Sequence, residues 1–173
     1  MLTKKVETAL NKQVEMEGYA SNYYLSAASW CDSKGLPGCA QFLYGHADEE
    51  RMHMMKLFHY INDAGGHALA PNVKQPPLKF KNLKDLFQSV FDHEVAVTTA
   101  INNLVDLCMN EKDHSSYNFL QWYVAEQHEE EKLFRTVLEK IELLGPEDKR
   151  GLYWIDRELG SLSTAGGESG AQG

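Results

Sequence analysis

Four long stretches of this chain carry an apolar stripe at helical spacing, and each stripe is broken near its middle by an acid. In the first the stripe runs Leu10, Val14, Glu17, Tyr24, Ala28. The second reads His46, Glu50, His53, Leu57, Ile61; the third Phe87, Val90, Glu94, Val97, Ile101. The fourth gives Tyr123, Gln127, Glu130, Phe134, Val137, Ile141. A lone buried carboxylate costs several kcal/mol and tends to protonate instead (~2–7 kcal/mol for an unpaired polar group, more for a charge). Four at one height would also repel one another, and the stripes contain no Lys or Arg to neutralise them. The compensation that remains is a multiply charged cation. Oxygen-rich ligation with one imidazole and no thiolate points away from structural zinc and towards iron or manganese.

The spacings repeat. Glu17 and Glu50 are 33 residues apart, as are Glu94 and Gln127, and three residues further on stand His53 in one case and Glu130 in the other. The halves superpose at an offset of 77, which also lays Glu49 on Glu126 and Leu57 on Phe134. Two copies of one half-site related by a pseudo-two-fold axis would give this pattern, with two metals bridged by a shared carboxylate.

Punctuation sets the helix limits. The first helix is expected over about 3–33, ahead of "KGLPG"; the second from Pro37 or Gly38 to Ala64, ended by Gly65-Gly66; the third over about 82–110; the fourth over about 113–144. A short fifth helix fits Pro146–Leu159, and the small polar tail 161–173 is expected to be disordered, leaving one domain over 1–160. No strand-like alternation appears, so the class is all-α. The links "KGLPG" and "EKDH" make two antiparallel hairpins. Between the hairpins, "GHALAPNVKQPPLKFK" has 16 residues and three prolines. Extended, it spans roughly 50 Å, against about 40 Å for a 27-residue helix. It can therefore run the length of a four-helix bundle and leave helices two and three parallel.

With 43% hydrophobic and 24% charged residues the profile is that of a soluble globular domain, and the net charge of −8 disfavours nucleic acid. Nothing resembles a signal peptide or a membrane span, which leads to an expected cytoplasmic location with Cys31, Cys39 and Cys108 reduced and packed. His46 lies on the metal stripe, where packing and support of a ligand are both open. His59, His67, His93, His114 and His128 fall off the stripe and are expected at the surface.

Glu17 with Tyr24, "DEERMH", Glu94 and "WYVAEQHEEEKLF" together resemble a bacterial non-haem ferritin over about residues 1–160. The resemblance implies that Glu17, Glu50 and His53 hold a first iron, with Glu50 bridging, and that Glu94 and Glu130 complete a second. Gln127 would stand beside them as hydrogen-bond partner or weak ligand. A third iron site is implied at Glu49, Glu126 and Glu129, sharing Glu130. Tyr24 and Trp122 would flank the centre as side chains able to supply electrons. The implied activity is ferrous oxidation by O₂ or peroxide, with ferric mineral stored inside a homo-oligomeric shell of twenty-four subunits. Haem-binding relatives carry Met directly after the motif Glu; Arg51 stands there here, so no haem is expected. The competing readings are an oxygen-activating di-iron enzyme on the same fold, a DNA-protecting mini-ferritin, and a metal-free helical interaction module.

Overall fold

The computed structural model describes residues 2–145 and 148–166. Five helices follow in order: α1 Lys4–Ser33, α2 Pro37–Asp63, α3 Leu83–Asn110, α4 His114–Leu144 and α5 Lys149–Gly166. The first four begin and end within a residue of the limits expected from punctuation. Side-chain caps explain three of the starts. The Thr3 hydroxyl accepts from the Val6 amide, Asn82 from Asp85 and Asp113 from Ser116. α2 instead has Pro at its first turn and no cap of its own. Its donor is satisfied from a distance, because the Cys39 amide donates to Asp156 of α5 at 2.8 Å.

α1 and α2 form one antiparallel hairpin, α3 and α4 the other. Side-chain pairs fix how they face each other. From α2 to α4, His46 meets Glu130, His53 meets Tyr123 and Tyr60 meets Ser116, so these helices are antiparallel. α1 and α3 are antiparallel as well, through Tyr23–Ser89 and Lys5–Glu111. α2 and α3 are consequently parallel. The crossover lies along α1 as its length allows. Asn11 bonds the backbone of His67 and Leu69, Ser26 donates to the Pro77 carbonyl, and Phe80 meets the Trp30 ring edge-on.

The apolar interior falls into two clusters. One end of the bundle buries Tyr24, Leu43, Phe87, Val90, Phe134 and Ile141, extended by Ile155 and Leu159 of α5. The other buries Leu10, Val14, Leu57, Ile61, Val97, Ile101 and Leu120. All three cysteines are free and buried, and burial pushes the Cys31 thiol up to about 12 and that of Cys108 to about 11.

Two expectations are corrected. α5 continues to Gly166, through the first six residues of the segment expected to be disordered; residues 167–173 and Pro146 lie outside the described residues. The continuation keeps an apolar face, with Leu152, Ile155, Leu159 and Leu162 all packed on the first cluster. A side chain at Gly38 would run into the Asp156 carbonyl, and Gly160 backs directly onto Gly38, so this glycine pair lets α5 lie against the start of α2. His93 is the second correction. Its ring stacks on Tyr23 at 5.5 Å and meets Tyr19 edge-on, and its Nε2 is buried without a partner. Among the described residues no helix is long and apolar enough to cross a membrane.

Candidate metal centre

Between the two apolar clusters lies a polar layer. Glu17 comes from α1, Glu50 and His53 from α2, Glu94 from α3, and Gln127 and Glu130 from α4. All are buried, the four acids at 4% exposure or less. Glu17, Glu50 and His53 offer ligand atoms all within 4.8 Å of one another. Across the layer, Glu94 is held at both oxygens. The Tyr24 hydroxyl donates to Oε1 at 2.6 Å and the Gln127 amide to Oε2 at 3.2 Å.

The electrostatics are those of an acid cluster with no cation. Burial, then the charge of Glu50, holds the Glu17 carboxyl well above the usual carboxylate range. Burial, then Glu94, does the same to Glu50. Glu130 is pushed up to about 9 by burial and then by Glu94. Glu94 is raised by burial, against the opposing pull of its bonds from Tyr24 and Gln127. Among the described residues no Lys or Arg forms an ion pair with these four acids. Protons therefore stand where positive charge is missing, and a divalent cation would displace them. Glu17 Oε2 and Glu130 Oε2, both buried, have no hydrogen-bond partner.

Two further groups adjoin the layer on the α2–α4 face. Glu49, His53 and Glu126 form one, and His46, Glu49 and Glu130 the other, each with ligand atoms within 4.8 Å. Glu49 belongs to both and is half-exposed. Burial raises Glu126 as well. Glu129 is exposed and joins none of these groups among the described residues. The Trp122 ring lies 5.2 Å from that of His53, with the Lys56 ammonium 4.0 Å over it. Tyr24 is fully buried, and burial followed by the charge of Glu94 raises its hydroxyl well above the ordinary value.

Sequence reasoning missed Gln13. It is 2% exposed, and its amide donates to Glu17 Oε1 at 2.8 Å. Its position four residues before Glu17, on the same helix face, was the available signal. Gln13 also lines a cavity of about 570 Å³ on the α1–α3 face, together with Tyr19, His93 and Leu104, so it stands between that cavity and the acid layer. Tyr123, a stripe residue by its spacing, does more than pack: its hydroxyl donates to the His53 carbonyl at 2.8 Å and fixes α2 against α4 at the height of the site.

Known proteins resemble this chain in sequence and fold. The family model described as a ferritin-like domain matches residues 7–144. A probable bacterial non-heme ferritin-like protein of Haemophilus influenzae is 48% identical over 164 residues, covering 95% of this chain and 99% of the relative. The bacterial non-heme ferritin of Campylobacter jejuni is 46% identical, over 94% of this chain and 97% of its own length. Among solved structures, an open pore ferritin from the archaeon Archaeoglobus fulgidus superposes with a TM-score of 0.90 at 43% identity, covering 92% of this chain and 98% of that one.

Proposed function

The chain belongs to the ferritin family, and from that premise we propose that its buried acid layer is the centre at which it oxidises ferrous iron for storage. Iron storage with ferroxidase activity is the function of the chain's named relatives, the bacterial non-heme ferritins. One observation supports the placement at this layer: four almost fully buried carboxylates, one from each long helix, with no Lys or Arg paired to them among the described residues.

Ferrous iron is the substrate. Glu17, Glu50 and His53 would hold one ion, Glu94 and Glu130 a second, with Glu50 between them. Each ion that binds displaces protons from the raised carboxyls, which leave through the half-exposed acids Glu49 and Glu126. Each gives up one electron to O₂ or peroxide, and hard carboxylate oxygens favour the ferric product. The Tyr24 hydroxyl and the Gln127 amide keep Glu94 facing inward while this happens. Glu49 and Glu126 support a third position on the α2–α4 face; Glu129 could join it only by turning inward from solvent. Tyr24 and Trp122 would supply electrons, a reading supported by the Tyr24–Glu94 bond and the packing of Trp122 on His53. The protein acts as a homo-oligomer. Our reading extends this to a cytoplasmic hollow shell of twenty-four copies holding the ferric mineral.

Size-exclusion chromatography with an aerobic Fe²⁺ oxidation assay tests this. The expected result is a particle of roughly half a megadalton, as closed symmetric assembly of many copies requires, oxidising its first few Fe²⁺ per chain rapidly. A species near the 19.6 kDa of one chain, inert to Fe²⁺ in air, overturns the reading.

A further inference from the structure

The cavity of about 570 Å³ on the α1–α3 face takes no part in the proposed iron chemistry. Met16 on α1 and Ala100, Leu104 and Leu107 on α3 give it an apolar lining, and Tyr19 and His93 add an aromatic wall. Those two rings are held in place. His93 stacks on Tyr23 at 5.5 Å, and Tyr19 meets His93 and Tyr23 edge-on at 5.7 and 6.1 Å. His93 Nε2 is buried without a hydrogen-bond partner. Two cations also line the cavity, Lys12 from α1 and Lys74 from the crossover, the latter 5.8 Å over the Tyr19 ring. Neither forms an ion pair among the described residues, whereas Lys4, Lys5, Lys84 and Lys140 all do. Glu15 is the acid of the lining, so positive charge is in excess. In a chain of net charge −8 that excess runs against the whole. Sites for small organic molecules have about 300–1,000 Å³ and a few polar groups among apolar and aromatic ones. This cavity matches both.

We propose that this cavity binds a small aromatic anion, its rings against Tyr19, His93 and Leu104 and its acidic group at Lys12 and Lys74. Aromatic walls favour an aromatic guest, because ring faces and edges attract one another in offset and edge-on packing. The two ammoniums are point charges on flexible stems, and both can close on one carboxylate or sulfonate at the mouth. The walls are ordered before the guest arrives, so little further ordering opposes binding. Gln13 separates the cavity from the acid layer, and an anion held here requires no cation there.

The test titrates the assembled, metal-free full chain with anilinonaphthalene sulfonate and, in parallel, with phenylnaphthylamine, the same ring system without the sulfonate. Fluorescence reads both. One saturable sulfonate site per chain is expected, roughly 10-fold tighter than the neutral dye, the scale of two exposed ion pairs. Replacing both cations, Lys12→Gln with Lys74→Gln, should remove that margin and leave the neutral dye's binding unchanged. Ala100→Trp fills the cavity from a half-buried position and should abolish the site for both dyes. The lysine pair is exposed, so its arm does not depend on the filled variant folding. Equal affinities for the two dyes in the parent, a margin that survives loss of both lysines, or a site that survives Ala100→Trp overturns the proposal. So does a parent assembly with no saturable site, the outcome expected if a neighbouring copy fills the cavity.

Discussion

The α1–α2 half of the acid layer presents two carboxylates and an imidazole that converge on each other; the α3–α4 half presents two carboxylates and an amide. The sequence spacing is the same, with Glu94, Gln127 and Glu130 matching Glu17, Glu50 and His53. The surroundings differ. Glu17 takes one bond, from Gln13 on its own helix, and leaves Oε2 without a partner. Glu94 has both oxygens engaged, by Tyr24 across the bundle and Gln127 on α4. A converging triad with a free oxygen is the better trap for a first cation. A carboxylate already held at both ends is better fixed in place but has less to offer an ion. On the proposed function, one duplicated pattern would thus give a tight half and a weaker half.

The sharpest way to break this contrast is to remove one acid from each side. Glu17→Ala should abolish the tighter equivalent of Fe²⁺ or Zn²⁺ in anaerobic calorimetry. It should slow oxidation by more than the roughly 100-fold upper end seen for outer partners of metal ligands. Glu94→Ala should slow oxidation comparably yet leave the tight equivalent in place. Loss of that equivalent in Glu94→Ala would show the halves to be energetically alike.

A smaller effect separates the supporting groups. Gln13→Leu leaves Glu17 without its donor and should weaken the first equivalent by roughly 10-fold, with the second little changed. Tyr24→Phe should act on the second equivalent instead. Titrating both variants side by side gives the comparison directly, and a reversed pattern would contradict the assignment.

The smallest effect is on stability against pH. The raised carboxyls bind protons in the folded chain that the unfolded chain has already lost, so the metal-free protein should lose stability as pH rises from the ordinary carboxylate value of 4.5 towards the value of about 9 reached by Glu130. Buried His46, pushed down to about 4, works in the opposite sense below pH 6.5, because the unfolded chain gains that proton first. Because several carboxyls outweigh one imidazole, thermal melts should decline from about pH 5 upwards, and a saturating redox-inert divalent ion should flatten that decline. A metal-free melt that climbs steadily to pH 9 would mean that the acids are solvated.

Much of this was legible because it rests on local chemistry. Thr3, Asn82 and Asp113 are caps whose bonds lie within three residues, and Gly65, at φ 81°, ends α2 where the sequence says it should. The acids stood out because a carboxylate in an apolar stripe violates the pattern around it. What escaped notice depends on distant neighbours. Polar Ser161, Ser163 and Thr164 read as tail, but the α5 turn through Leu159 and Leu162 is held by packing on the core of the other helices. His93 looked solvent-facing on α3 until Tyr19 and Tyr23 of α1 closed over it. Gln13 passed as an ordinary polar residue because a glutamine carries no charge to betray its burial.

The division of the interior into two greasy ends and a charged waist has a mechanical consequence. Each end clamps all four rods independently, so the waist need not glue them together. On the proposed function, its net charge could swing by several units as ions bind and leave without loosening the frame. Such a frame can tolerate exchange of the waist's side chains, and the reaction performed there can change while the scaffold around it stays put.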